Sequence, residues 1–350
     1  MIDRRSFAKL VGVGAVLSEC GNAVAALAPR STDSVGALRK PKRLVAGDTL
    51  GLVLPASAAF ESDDIAFAKE QLEAIGFKVV IGPHAYDRYG YFAGRDADRA
   101  ADLNAMFADD AIAGIVCYTG GWGSPRLLPL LDYSLIARKP KVIIGYSDIT
   151  ALLNAIHQRT GLVTFHGPVG GSTLEPYTLE NFRRVLMSPE PAGLLESPPK
   201  KATELVDKAN RVIRIAPGTA SGPLVGGNLT MIASLMGTPY ELDTTGAIVF
   251  LEDVREDLYR IDRMLTQLAL AGKFAKAAGV VFGRCSECSY KGPTFSLEDI
   301  LRDRFGSLPI PVISGLSFGH IEQKLVLPVG VRATLDASAL TLRLDEPAVL

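Results

Sequence analysis

The chain has 350 residues, 48% hydrophobic and 21% charged, enough for one large or two ordinary domains with substantial cores. Its formal net charge of −1 supplies no basic excess for nucleic acid and no acidic tail, which excludes those classes of partner. Four cysteines are too few for a disulfide framework. Residues 1–30 read as an address. Arg4-Arg5 precedes a short apolar run over 10–17, and small residues follow in Ala23-Val24-Ala25-Ala26-Leu27-Ala28. That is the order of a twin-arginine export signal, and the run is far shorter than the ~20 residues of a membrane span. Cys20 follows Glu19, which argues against lipid attachment. The expected location is the periplasm, with the cytoplasm as the alternative. Residues 31–43, polar and containing Pro41, read as a linker.

From residue 44 strands and helices alternate. Apolar runs predict strands over 49–54, 77–81, 113–118 and 142–144. Helical spacing predicts helices over 62–75 (Ser62 as cap, Gly76 as stop), 96–107 and 148–159. This pattern implies a mostly parallel sheet covered on both faces, with ligands at the carboxyl ends of its strands. Prolines 176, 189, 191, 198 and 199 punctuate 171–210, which reads as an interdomain connection. A second α/β region then runs over 211–350. It has predicted helices near 228–236, 259–270 and 297–304, and predicted strands over 247–251, 279–282 and 312–314. Its tail reads as short antiparallel strands over 324–327, 332–335 and 339–344.

Four segments carry candidate chemistry. In Gly145-Tyr146-Ser147-Asp148-Ile149 an apolar strand turns sharply into a helix, a setting that raises a serine hydroxyl above a sheet over the positive helix end. Ser147 could equally be a helix cap, and Ser57, after the first strand, is a weaker rival. Thr119-Gly120-Gly121-Trp122-Gly123-Ser124-Pro125-Arg126 follows the third strand. Its spacing matches no phosphate-binding loop and suits an oxyanion hole better. Glu252-Asp253 end an apolar strand, where they can orient a histidine or form an ion pair with Arg255 or Arg260. His320, in Ser314-Gly315-Leu316-Ser317-Phe318-Gly319-His320, has the strand-end, glycine-rich setting of a general base. Of the other three histidines, His84 and His157 read as surface or structural, and His166 as a possible cleft residue. Cys117 reads as core. Cys285 and Cys288 form an isolated C-x-x-C with no second ligand pair for zinc, so a local disulfide or two free thiols is expected.

Taken together, Gly-Gly-aromatic-Gly-x-x-Arg-Leu-Leu, Gly-Tyr-Ser-Asp-Ile-Thr, Gly-Gly-Asn-Leu, Leu-Glu-Asp and Gly-x-x-x-Gly-His occur here in one order. That order resembles the LD-carboxypeptidases, which include muramoyltetrapeptide carboxypeptidase and the microcin self-immunity peptidases. The resemblance covers roughly residues 44–345. It implies a flavodoxin-like parallel-sheet domain (44–170) carrying the nucleophile and a smaller C-terminal α/β domain (211–350) carrying its partners. It maps the triad onto Ser147, Glu252 and His320. The expected reaction is release of terminal D-alanine from a murein tetrapeptide through an acyl-enzyme, with neither metal nor organic cofactor. Backbone N–H groups of Asp148 and of Gly121 or Trp122 are expected to hold the oxyanion. Arg126, Trp122 and Asn228 are candidate substrate contacts, although Arg126 could form a structural ion pair and Asn228 a helix cap. Because the triad is divided between the halves, a homodimer could steady it. The alternatives are a peptidyl-nucleotide amidase on the same fold and a non-enzymatic periplasmic binding protein, which would lack a hydrogen-bonded triad.

Overall fold

A computed structural model describes residues 37–200, 205–207, 210–289 and 293–350. Residues 1–30, read from sequence as an export signal and including Cys20, and residues 31–36 of the linker lie outside the described residues. What is described of the linker is packed down: the Arg39 amide donates to Gly161 O at 2.8 Å and Arg39 O accepts from Val163 N at 2.9 Å.

Two sheets organise the chain. The first is built from β1 (Thr49–Val53), α1 (Ser62–Ala74), β2 (Lys78–Ile81), α2 (Asp96–Ala108), β3 (Ile112–Cys117), α3 (Tyr133–Arg138), β4 (Val142–Gly145), α4 (Thr150–Thr160) and β5 (Thr164–His166). Strands β2-β1-β3-β4-β5 run parallel in that order, the flavodoxin-like arrangement. The inner strands β1, β3 and β4 are nearly unbroken apolar runs because helices bury both faces, and every residue of β4 is buried, whereas edge strand β2 is exposed at alternate residues. Each such Val or Ile contributes about 1.5–3 kcal/mol of transfer free energy. The predicted helix over 62–75 is α1, with its cap one residue earlier: Glu61 and Asp64 form a reciprocal capping box, and Gly76 at φ 107° follows the end.

The connection expected over 171–210 contains a helix, α5 (Pro176–Leu186), and a two-residue strand, β6 (Gly193–Leu194). Pro176 sits at the first helical position, where its missing N–H costs nothing, and the Glu175 carboxylate caps the Tyr177 and Thr178 amides. A proline read as punctuation is here a helix start.

The remaining elements are β7 (Ile213–Ala216), β8 (Thr219–Asn228), α6 (Leu229–Ser234), β9 (Ile248–Val254), α7 (Leu258–Leu270), β10 (Gly279–Ser286), α8 (Leu297–Phe305), β11 (Val312–Ser314), β12 (Leu327–Val329), β13 (Arg332–Asp336) and β14 (Thr341–Leu344). Strands β8-β9-β10-β11 form the parallel centre of an eight-stranded sheet, flanked by antiparallel β7 on one side and β13, β14 and β6 on the other. The tail is antiparallel as expected, but β12 begins at Leu327 rather than Lys324. It joins the first sheet against β5, outside the 44–170 boundary drawn from sequence. Both sheets belong to one compact unit.

Candidate active site

Strand β4 leads into the turn that carries Ser147. Tyr146 is extended, and Ser147 then takes φ 65°, the left-handed region that a non-glycine residue occupies at a cost of about 1–3 kcal/mol. One short 3₁₀ turn (Ser147–Ile149) leads into α4, so the helix expected over 148–159 starts slightly later. The Ser147 hydroxyl does not cap that helix. Its Oγ lies 2.9 Å from His320 Nε2.

His320 Nδ1 lies 2.7 Å from Glu252 Oε2, and Glu252 is fully buried at the end of β9. A carboxylate only accepts, so Nδ1 carries the proton, Nε2 presents its lone pair and the Ser147 hydroxyl donates to it. The second Glu252 oxygen accepts from Asn228 Nδ2 at 3.3 Å. Asn228 is the helix cap considered for it: its Oδ1 accepts from the Met231 amide at 3.1 Å at the start of α6, and its Nδ2 also reaches Asp253 at 3.2 Å. Asp253 is held by the Thr230 amide and hydroxyl, and burial raises its carboxyl to about 6. The ion pairs considered for Glu252-Asp253 do not form. Arg255 binds Glu287 and Arg260 faces Glu256. A hydrogen-bonded Ser147–His320–Glu252 set is the arrangement a binding protein would have lacked.

The seam between the sheets is drawn together at this point. The Asn228 amide donates to Thr150 Oγ1 at 3.0 Å, and Asn154 Nδ2 donates to Gly226 O at 2.8 Å. Gly227, at φ 136°, passes so near Thr150 that a Cβ would stand 2.6 Å from its Cγ2. Glycine is required there by contact as well as by backbone angle.

The glycine-rich loop after β3 closes the other side. A Cβ on Gly120 would stand 2.8 Å from Ser147 Cβ and 3.2 Å from the Asp148 nitrogen, so its absence leaves that amide approachable. The Asp148 side chain ties loop to turn: Oδ2 accepts from the Ser124 amide at 2.7 Å, and the Ser124 hydroxyl donates to Asp148 O at 2.5 Å. Burial raises the Asp148 carboxyl. The Trp122 amide donates to Ser57 Oγ at 3.1 Å, which gives Ser57 a supporting place and removes this amide from the oxyanion set. The Trp122 indole is exposed, edge-on to Tyr91. Arg126 is in the ion pair that sequence had allowed for. Its Nε lies 2.9 and 2.8 Å from the two Asp96 oxygens, and its guanidinium covers Phe92.

The comparisons with known proteins meet this geometry. Models of the LD-carboxypeptidase N-terminal and C-terminal domains match residues 50–167 and 221–335. A probable murein peptide carboxypeptidase of Bacillus subtilis (strain 168) is 39% identical over 310 residues, covering 86% of this chain and 93% of its own. The chain belongs to the LD-carboxypeptidase family. The murein tetrapeptide carboxypeptidase of Pseudomonas aeruginosa is 32% identical, covering 83% of this chain and 94% of that one. The structure of the wild-type microcin C7 self-immunity protein in its apo state superposes with a TM-score of 0.81 at 28% identity, covering 89% of this chain and all of the other.

Two further residues lie beside this LD-carboxypeptidase site, His166, read from sequence as a possible cleft residue, and Lys324, which the sequence reading missed. His166, at the end of β5, is fully buried edge-on to Tyr146, Phe250 and Phe318. Burial lowers its pKa to about 4, so it packs as a neutral ring rather than lining a cleft. Lys324 is 5% exposed, with its ammonium 4.4 Å from the Tyr146 ring centroid. Its signal was available: a lysine directly before the apolar run Leu325–Leu327, four residues after His320. Away from the site, His157 Nδ1 bonds Leu162 O and Cys117 is buried, as expected. Cys285 and Cys288 form the local disulfide. His84, Asp87 and Asp98 bring ligand atoms within 4.8 Å of one another, but none belongs to the triad region.

Proposed function

We propose that this carboxypeptidase cleaves the bond before the terminal D-alanine of a murein tetrapeptide, with Ser147, His320 and Glu252 as its triad. The hydrogen-bonded chain from Ser147 Oγ through the imidazole to buried Glu252 carries the reading. The Bacillus and Pseudomonas relatives, a probable murein peptide carboxypeptidase and a murein tetrapeptide carboxypeptidase, support the substrate. In this reading Ser147 Oγ attacks the scissile carbonyl while its proton passes to His320 Nε2, and Glu252 stabilises the imidazolium. The amides of Asp148 and Gly121 face the oxyanion, and each such donor is worth about 10²–10³-fold in rate. The imidazolium protonates the leaving nitrogen and D-alanine departs. Water, deprotonated by His320, then hydrolyses the acyl-enzyme, releasing the tripeptide and restoring Ser147. The nucleophile comes from the half spanning 44–170 and its two partners from the half spanning 211–350, held together by the Asn228–Thr150 and Asn154–Gly226 bonds.

The test is stereochemical. A tetrapeptide ending in D-alanine is expected to lose its terminal residue, and the epimer ending in L-alanine to remain intact. Equal release from both would remove the L,D assignment. The paired arginines, short apolar run and small residues of 1–30 further support export to the periplasm by the twin-arginine route. N-terminal sequencing of the periplasmic protein should then begin after the Ala23–Ala28 stretch. Full-length chain recovered only from the cytosol would refute export.

A further inference from the structure

A carboxypeptidase must distinguish a free terminal carboxylate from a peptide that continues, and a cation beside the nucleophile does this directly. Arg126 is engaged by Asp96, so the site needs another positive group. Lys324 has the required position. Its ammonium sits 4.4 Å from the centroid of the Tyr146 ring, and the His320 imidazole sits 4.8 Å from the same centroid. Tyr146 immediately precedes the nucleophile. The group that protonates the leaving nitrogen and the buried ammonium therefore flank one aromatic ring.

The lysine is held in place, and its ammonium rests on the Tyr146 ring without a carboxylate partner among the described residues. Its backbone amide donates to Thr178 Oγ1 of α5 at 3.0 Å, and the next amide donates to Ser317 O at 2.7 Å. Among the described residues no carboxylate lies within 4.0 Å of its Nζ. The acids nearest in field are Glu252, Glu175 and Glu322. Glu252 serves His320 and Asn228, and Glu175 caps α5 through the Tyr177 and Thr178 amides. Burial lowers the ammonium to about 8, which leaves it cationic at neutral pH. A buried cation without an ion partner is costly in an unliganded fold and becomes favourable once an anion arrives.

We propose that Lys324 binds the terminal carboxylate of the substrate and thereby makes the enzyme a carboxypeptidase; this rests on the D-alanine-releasing reading above. The experiment compares kcat/KM for a murein tetrapeptide with that for its C-terminal amide, in the wild type, Lys324→Met, Lys324→Gln and Lys324→Arg. A charge-assisted hydrogen bond corresponds to roughly 10- to 100-fold, so the wild type should favour the acid by about that factor. The acid-to-amide ratio should collapse toward one in Lys324→Met, mainly through KM, and recover in part in Lys324→Arg. Labelling of Ser147 by a fluorophosphonate at the wild-type rate reports an intact triad in each variant. Where Lys324→Met fails that check, the same ratio is read from the polar, uncharged Lys324→Gln. An unchanged ratio in a variant that labels normally, or a wild type that cleaves acid and amide equally, overturns the proposal while leaving the reaction class standing. No D-alanine release by the wild type would instead bring down the murein reading, and this inference with it.

Discussion

Ser147→Ala is expected to lower kcat on murein tetrapeptide by roughly 10⁶-fold, the scale on which serine peptidases depend on their nucleophile. The substitution removes only the hydroxyl that lies 2.9 Å from His320 Nε2. Alanine must occupy the same left-handed φ of 65°, so the backbone strain of the turn stays and the fold gains little by relaxing it. The Ser124–Asp148 bonds and the seam bonds at Thr150 and Asn154 do not involve the hydroxyl, and the thermal unfolding midpoint should remain near that of the wild type. Fluorophosphonate labelling should vanish with the activity. Residual turnover within 100-fold of the wild type, in a folded variant, would move the nucleophile elsewhere, with Ser57 as the first alternative.

Glu252→Gln should cost about 10⁴-fold in kcat with little change in KM, the scale seen when a triad acid becomes an amide. The reason is specific to this pocket. One Glu252 oxygen accepts from the imidazole and the other from Asn228 Nδ2. A glutamine has only one oxygen, so whichever way its amide turns, a donor meets a donor in a fully buried position. Facing its NH₂ to His320 drives the proton from Nδ1 to Nε2, where the ring can no longer accept from Ser147. Facing it to Asn228 leaves two amide groups opposed and the imidazolium without its counter-charge. Steady-state kinetics measure the effect, and a loss of less than tenfold would show that the carboxylate does not hold the ring.

The legible parts of this fold were those in which burial writes a period into the sequence. Strands β1, β3 and β4 and helices α1, α2 and α7 follow apolar runs and helical spacings closely. The hidden parts were those in which special backbone chemistry replaces side-chain pattern. Helix α5 begins on a proline inside a proline-rich stretch, and β8 carries Gly222, Gly226 and Gly227, which weaken any strand signal although Gly227 is needed against Thr150. The site divided the same way. The Ser147 turn could be read locally as strand, serine and helix, but its left-handed φ could not. His320 stands 173 residues from Ser147 and 68 from Glu252, so their meeting came from the resemblance and from the fold, and no local rule supplied it. Lys324 was overlooked because a lone lysine beside an apolar run is usually solvated, and only the packed structure places it against Tyr146. Trp122 was offered as an oxyanion donor because the loop has several amides, and the turn geometry that gives this one to Ser57 is invisible in sequence.

D-alanine release through Ser147 is tested most directly by mass spectrometry of murein tetrapeptide incubated with the purified protein beside its Ser147→Ala variant. Free D-alanine and the corresponding tripeptide are expected from the wild type alone. Intact tetrapeptide in both reactions, cleavage at another bond, or equal release by the variant would contradict it.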